Sequence, residues 1–588
     1  MKWNTVTRIT ALAVIFTALS ALPVPAQENP AMIGDTGDGN LSQPVHLIPL
    51  YDTNGAAILP GSDRPFSTRQ TCGRCHDYEK ISHGWHFNAA EKDAAPGHKG
   101  ESWIYWDCAA ATQIPLSYRG WEGTYPPDQV GLSDWKFTQI FGRHLPAEAA
   151  EWDSDEPTPL DSQNRWHLSG HLEINCLACH DAEPFHDQAQ NAIQLAEQNF
   201  DWAAAATSSF AWVTGSVKKL PDFWLPEDGS LDYPAVYYDA GRFNHENKVQ
   251  FHLTRNIPNE RCYFCHSTSQ PHTERTDVDE DVHLKAGLAC VDCHRNTVDH
   301  NINRGYEGEM LTADTLAGTT LTCEGCHSGS DNPQNPDAGR LGSPKPVHKG
   351  IPTVHFEKLA CTACHSGPWP AETAVFVKTS RAHGLGLQSV NKAPEALPHI
   401  LAPVLAELPP LDPNSPTGKI APHKMVWPAF WAQVQEGKVI PLVPEEVKKA
   451  AGNILPHDYE ISSAASWPEM PEKKLTEEEQ GREQAKTEEQ KIAERKAEQQ
   501  AWFQNMITQV LTALKGQPFV QGAPAYICGG KMYQLNDAGA LVSQEHEAAR
   551  PYLWPLAHDV RPAPQSLGVR GCPDCHTNDA PFYQAALA

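Results

Sequence analysis

The strongest helical pattern in the chain lies towards its C terminus. Residues 472–500 consist mostly of Glu, Lys, Arg, Gln and Ala, which all favour helix. Apolar residues then recur at helical spacing: Trp502, Phe503, Met506, Ile507, Val510, Leu511 and Leu514. This pattern predicts one long helix, or two, with a solvated first half and a second half that packs against the protein. A stretch rich in Ala, Gln and Leu predicts another helix over residues 187–213.

Most of the remaining chain has no regular alternation of apolar and polar positions. Residues 27–70 contain many turn-forming residues, residues 100–170 combine Trp and Tyr with Pro and Gly, and residues 366–465 are rich in proline. Because proline interrupts helices and sheets, the proline-rich stretch predicts a long loop arm. The chain is therefore predicted to be mainly α, with extensive irregular loops and little β structure.

The first 26 residues have the pattern of a secretory signal peptide. Lys2 and Arg8 give a positive start, residues 9–22 form an apolar run, and small residues at 24–26 suit a signal peptidase. An uncleaved anchor is the alternative. We expect export to the periplasm or the cell exterior. No second long apolar run follows, so we expect no transmembrane segment in the mature chain.

The net charge narrows the range of partners. The formal charge is −26 at pH 7. Such an acidic chain is unsuited to binding nucleic acid, whose phosphates would repel it. It suits a protein partner that presents a basic docking patch.

A short motif, CxxCH, recurs seven times. The seven copies contain Cys72, Cys75 and His76; Cys176, Cys179 and His180; Cys262, Cys265 and His266; Cys290, Cys293 and His294; Cys323, Cys326 and His327; Cys361, Cys364 and His365; and Cys572, Cys575 and His576. Random placement of 16 cysteines and 28 histidines would give about 0.02 copies in the whole chain. The repetition is therefore not accidental.

The spacing of the motif is that of covalent haem c attachment. Each thiol bonds to one vinyl group of the haem, and the following imidazole binds the iron. Zinc sites are the alternative, but they pair two CxxC units and need no histidine after each one. We expect seven covalently bound haem c groups, which would form much of the core of a multihaem cytochrome c.

The positions of the motifs suggest how the chain is divided. The third to sixth motifs begin at residues 262, 290, 323 and 361, so short linkers must hold four haems in one cluster. We expect a signal peptide (1–26), an N-terminal region with the first two haems (27–244), a compact tetrahaem core (245–366), a proline-rich wrapping arm (367–468), and a long charged helix with the seventh haem (469–588).

The second axial ligand decides whether a haem only transfers electrons or also leaves its iron open to a substrate. Of the 28 histidines, seven belong to motifs and 21 remain, so bis-histidine ligation of every iron is feasible. The candidates, chosen mainly for their positions near motifs, are His86, His171, His252, His283, His300, His355, His383 and His558. Eight candidates for seven places mean that at least one is wrong.

The motif set resembles that of bacterial multihaem c-type cytochromes. Residues 281–294, with His300 beyond them, resemble the haem-clustered core of the octahaem tetrathionate reductase and hydroxylamine oxidoreductase superfamily. The resemblance covers the motifs and roughly residues 245–366. The chain departs from that pattern because it has seven motifs rather than eight, lacks a CxxCK motif, and has no tyrosine that can be placed as a crosslinking residue.

These observations predict an exported heptahaem cytochrome c that relays electrons in an anaerobic-type respiratory chain. Its expected partners are a membrane quinol-oxidising module, other cytochromes or a terminal reductase. The alternative is a multihaem oxidoreductase that acts on a small nitrogen or sulfur compound at one open or unusually ligated haem. Cys108, Cys528 and Lys531 are candidates for such a site, although the two cysteines could instead form a disulfide or remain inert thiols.

Overall fold

The structure is a computed structural model. It describes residues 46–88, 102–107, 109–145, 165–222, 224–225, 228–266, 281–294, 296, 298–302, 322–328, 340–367, 375–376, 400–408, 418–455, 476, 486–578 and 580. The predicted signal peptide lies outside these residues, as do Cys108 and His383.

Antiparallel sheets make up a large part of the described chain. The strands are β1 (Leu47–Pro49), β2 (Trp103–Asp107), β3 (Thr112–Leu116), β4 (Ala211–Thr214), β5 (Ala235–Tyr238), β6 (Lys248–Gln250), β7 (Val375–Phe376), β8 (Ile400–Glu407), β9 (Ile420–Val426), β10 (Ala429–Gln435), β11 (Lys438–Pro441), β12 (Ala523–Cys528), β13 (Lys531–Leu535), β14 (Leu541–Glu545) and β15 (Tyr552–Pro555). The prediction of a mainly α chain with little β structure was therefore wrong, and the fold is mixed.

The error arose largely from the proline-rich stretch. Strands β8 and β9 lie within it and pair with each other. Pro403 is accommodated because the register of β8 shifts between Leu401 and Val404, a bulge at which a missing backbone donor is tolerated. Proline content thus indicated irregular backbone locally, without excluding a sheet.

The helices are mostly short. They are α1 (Thr68–Cys72), α2 (Tyr78–Ser82), α3 (Asp134–Phe141), α4 (Trp166–Ser169), α5 (Leu177–His180), α6 (Ala189–Ala196), α7 (Ala203–Thr207), α8 (Asn259–His266), α9 (Val282–Lys285), α10 (Cys290–Cys293), α11 (Cys323–His327), α12 (Thr353–Lys358), α13 (Cys361–His365), α14 (Pro444–Ala451) and α15 (Glu488–Leu514). The single helix expected over residues 187–213 is instead α6 and α7, followed by β4. No described helix is both long and apolar enough to cross a membrane.

Two sheets dominate the fold. The larger has the order β14-β13-β12-β10-β3-β2, with β11 paired to β10, and the smaller has the order β15-β9-β8-β7. At the centre of the larger sheet, the rings of Trp431 and Tyr526 lie 4.2 Å apart, and both side chains are almost fully buried. The Tyr526 hydroxyl donates to Ala111 O at 2.9 Å, which joins the β2–β3 hairpin to this centre.

Helix α15 packs its second half on the larger sheet. Its N terminus is capped by Thr487 and Gln490, which bond to each other's backbone N–H groups. Ile492, in the first half, is 54% exposed, whereas Ile507 is fully buried. The division into a solvated half and a docked half follows the pattern in the sequence, since only the second half carries a continuous apolar face.

The segment after β15 leads the chain back to the CxxCH motifs. Leu556 N donates to Pro422 O at 2.7 Å, which ties the segment to β9. Gly367 N then donates to His558 O at 3.1 Å, and Arg561 N donates to His365 O at 2.7 Å. The smaller sheet therefore positions residues 556–561 beside the sixth motif.

Replacing Ile507 by Ala should destabilise the sheet and its helix by about 2–5 kcal/mol, because it leaves a cavity in a packed core. Ile492→Ala, in the exposed half of the same helix, should change stability by less than about 0.5 kcal/mol. The urea midpoint measured by far-UV circular dichroism tests both variants. Equal effects of the two substitutions would contradict the docking of α15.

Candidate functional site

Most CxxCH motifs lie on a tight helical turn. His76 N donates to Cys72 O at 3.0 Å, and the same four-residue bond recurs from His180 to Cys176, from His294 to Cys290 and from His576 to Cys572 at 2.8–3.0 Å. Residues three and four apart share one face of a helical turn. The local backbone therefore presents both thiols and the imidazole of a motif in the same direction.

Every motif histidine faces a second histidine, and the seven pairs all lie within the described residues. With the motif histidine first, the pairs are His76–His46, His180–His300, His266–His86, His294–His558, His327–His283, His365–His348 and His576–His355. Their ring centroids are 5.8–6.4 Å apart. We call the second member of each pair the facing histidine.

This spacing fits one metal ion between the two rings. An imidazole nitrogen binds a transition metal at about 2 Å, so two imidazoles on opposite sides of one ion have centroids about 6 Å apart. Direct stacking contact would bring the rings closer than this. The residues present therefore fit seven irons, each held by the motif histidine and by one further imidazole.

Hydrogen bonds orient several of these rings. The Nδ1 of His180 lies 3.0 Å from Thr254 O, and that of His300 lies 2.9 Å from Val298 O. A carbonyl oxygen can only accept, so each Nδ1 donates and leaves Nε2 as the free lone pair. The same holds for His327 on Pro344 O (2.8 Å) and His355 on Pro352 O (3.2 Å). Metal-bound histidines are typically held in this way.

Burial keeps some of the paired imidazoles neutral. It lowers the pKa of His46, of His300 and of His365, with further lowering from neighbouring histidines. A neutral imidazole has the lone pair that metal binding needs. These three rings therefore do not have to lose a proton before they can act as ligands.

Exposed apolar side chains flank the last two pairs. Phe356 lies 4.9 Å from the ring of His348, and Val347, Val354 and Phe356 are 40–73% exposed. Isolated apolar exposure is common, but a contiguous apolar surface points to a binding site. These side chains suit contact with a large flat apolar ligand such as a porphyrin ring.

Neighbouring motifs lie next to each other in sequence order. The thiols of Cys72 and Cys176 lie close enough to shift each other's pKa, as do those of Cys262 and Cys290. Side chains are also close enough to affect a neighbour's pKa across the other junctions: Cys265 on Cys179, Cys326 on Cys293, His327 on His365, and Cys575 on Cys364. The seven histidine pairs therefore form a continuous row from the first motif to the seventh.

The segments that carry facing histidines are also tied together. Trp85 N, next to His86, donates to Asn301 Oδ1 at 3.0 Å, and Asn301 follows His300. An added Cβ at Gly84 would lie only 2.4 Å from Asp299 O, so the close approach requires glycine there. One contact thus places the facing histidines of the second and third motifs.

The structure brings five of the eight predicted second ligands to a motif histidine: His86, His283, His300, His355 and His558. It places two elsewhere. His171 stacks on Trp166 at 4.8 Å, and its backbone N–H donates to the buried Asp201 carboxylate at 2.8 Å. His252 pairs with Glu183 at 3.4 Å and is 60% exposed.

Two facing histidines, His46 and His348, were not predicted. His46 directly precedes β1, whose pairing with β6 holds it beside the first two motifs. His348 shares a short linker with His355, and that linker was credited with only one ligand. Counting the histidines in each linker would have identified His348 as a second candidate there.

Cys528 and Lys531 lie at the β12–β13 turn of the larger sheet. Cys528 is 2% exposed within the core that contains Trp431 and Tyr526. Burial raises the pKa of its thiol to about 12, so the thiol stays protonated at neutral pH. This is the environment of an inert structural cysteine rather than of a reactive one.

Comparison with protein families, curated proteins and solved structures finds no match. The site geometry therefore stands on the described residues alone. Within them, no cluster of three or more His, Cys, Asp and Glu side chains forms a metal site. The recurring arrangement is the histidine pair, and two protein ligands are what a six-coordinate haem iron takes.

Replacing His46 by Ala should remove the second ligand of the first motif and no other. We expect one iron to change from low-spin to high-spin, with seven haems retained, because the thiols are untouched. His252→Ala, a change at an exposed histidine outside the row, should leave the spectrum unchanged. Electron paramagnetic resonance and a haem count test both variants. A high-spin iron in the His252 variant but not in the His46 variant would contradict the pairing.

The carboxyl group of Asp201 should make the stability of the folded protein depend on pH. Burial raises the pKa of its carboxyl to about 7, well above the value of about 4 in an unfolded chain. The folded protein therefore holds this proton more tightly, and its stability should fall as the pH rises from 4 to 7. Asp201→Asn should remove that part of the pH dependence, measured as the urea midpoint at each pH. The exposed Asp228→Asn is the control, and an unchanged profile for Asp201→Asn would contradict the assignment.

Proposed function

We propose that the protein is an exported heptahaem cytochrome c that relays electrons in an anaerobic-type respiratory chain. The observation that carries this proposal is the facing imidazole at all seven motif histidines. An iron held between two imidazoles has no open position for a substrate, so such a site exchanges electrons and does little else. The geometry therefore favours a relay over a catalyst.

The chain would supply the residues that attach the haems, ligate the irons and orient the imidazole rings. When bound, haem provides a one-electron redox couple at its iron. The fourteen motif cysteines would hold the haems covalently, and the fourteen paired histidines would hold the irons. The Nδ1 hydrogen bonds of His180, His300, His327 and His355 fix the ring orientation at their sites.

The continuous row supports transfer along the protein. Contacts between neighbouring motifs run from the Cys72–Cys176 junction to the Cys364–Cys575 junction. Each site thus has the next site close by, from the first motif to the seventh. Entry of electrons at one end and exit at the other is the simplest use of this order.

The proposed partners are a membrane quinol-oxidising module, other cytochromes or a terminal reductase. The formal charge of −26 favours partners with basic docking patches. A periplasmic or extracellular location follows from the apolar run at residues 9–22 and from the attachment of haem c outside the bacterial cytoplasm. These assignments rest on the sequence.

The alternative is an oxidoreductase acting on a small nitrogen or sulfur compound. It needs an open or unusually ligated iron, and each described motif histidine already has a facing imidazole. Cys528, which lies in the core of the larger sheet, is poorly suited to be an unusual ligand. The resemblance to the octahaem superfamily stays a prediction and does not by itself imply such an activity.

A reductive titration with dithionite tests the relay. We expect seven electrons to be taken up per chain. The reduced protein should not bind carbon monoxide and should not turn over nitrite, hydroxylamine or tetrathionate, because ligand binding would require displacement of an imidazole. Rapid carbon monoxide binding at one haem, or turnover of one of these compounds, would overturn the proposal in favour of the enzyme.

A further inference from the structure

One carboxylate touches the segments of two neighbouring facing histidines. Asp281 is 6% exposed and caps the N terminus of α9. Its Oδ1 accepts from the Nδ1 of His283 at 3.1 Å and from His283 N at 2.9 Å. Its Oδ2 accepts from Val560 N at 2.9 Å, and Val560 lies two residues beyond His558.

The two segments belong to adjacent sites. His283 faces His327 of the fifth motif at 6.0 Å, and His558 faces His294 of the fourth at 5.8 Å. Val282 N also donates to Val560 O at 2.9 Å, so backbone and side chain together join the segments. Residues almost 280 positions apart are thus held by one side chain.

The partner of His283 differs in charge from the partners of the other oriented rings. The Nδ1 groups of His180, His300, His327 and His355 donate to neutral backbone carbonyls. The Asp281 carboxylate instead accepts hydrogen bonds from His283 and from Val560 N as a charged group. A charged acceptor makes a stronger bond and adds electron density to the imidazole.

We propose that Asp281 is a positioning residue that lowers the reduction potential of the fifth haem site and holds His558 at the fourth. This inference rests on the proposed binding of haem and deepens it. One electron enters each site on reduction, and the oxidised iron carries one more positive charge. An imidazole that shares negative charge with a carboxylate stabilises the oxidised form, which lowers the potential.

Asp281→Asn is the main test. Asn still caps a helix through its single acceptor oxygen, but it removes the charge, and its NH2 group replaces the second acceptor oxygen, so the bonds to His283 and to Val560 N cannot all be kept. We expect seven haems to be retained. One haem should become easier to reduce by about tenfold in its equilibrium constant, or about 59 mV for a one-electron couple. Spectroelectrochemistry of the whole protein measures this shift.

Asp292→Asn is the matched control. Both carboxylates raise the pKa of the Cys293 thiol, and Asp292 caps α10 by accepting from Ala289 N at 2.8 Å. It should shift the potentials less than Asp281→Asn does. Equal shifts would mean that nearby charge, rather than the bond to His283, sets the potential, and would overturn the inference.

Two further measurements distinguish a failure of the role proposed for Asp281 from a failure of the proposed function. Asp281→Glu, which restores the charge, should return the potential towards the wild-type value, and this comparison remains available if the Asn variant loses haem. Unaltered potentials in an Asn variant that carries seven haems would overturn the role of Asp281. Fewer than seven haems in the wild-type protein would instead contradict the proposed function itself.

Discussion

The seven candidate sites depend on the pairing of each motif histidine with an imidazole from elsewhere in the chain. The motif fixes its own thiols and its own histidine through a local helical turn. The facing histidine lies 17 residues away for His365 and 264 residues away for His294. Seven such pairs join the N-terminal region, the middle of the chain and the segment after β15.

The sheets explain how distant segments meet. The smaller sheet places residues 556–561 beside the sixth motif. There, Gly367 N donates to the backbone of this segment, and His365 O accepts from it. The same segment carries His558 and contacts Asp281, so it serves the fourth, fifth and sixth sites. This segment contains no CxxCH motif, but its contacts help to hold three of the seven sites in place.

The sequence was sufficient for local chemistry and insufficient for long-range pairing. The apolar stripe predicted the docked half of α15, and the assignment of the 21 motif residues to haem attachment stays a prediction. Proximity to a motif suggested His283 and His355, yet each faces the histidine of a later motif. A short linker holds such a residue near its own motif, but which motif histidine it faces depends on tertiary structure. The strands around Pro403 were missed because a bulge that tolerates proline has no simple periodic signal.

The most direct test is near-infrared magnetic circular dichroism and electron paramagnetic resonance of the oxidised protein, with a haem count. The account predicts seven low-spin haems per chain, all with two histidine ligands. Paired ring planes cross at angles from 7° to 75°, so nearly parallel pairs should give rhombic signals and nearly perpendicular pairs large-g signals. A high-spin haem, a lysine or thiolate ligand, or fewer than seven haems would contradict the pairing of every site.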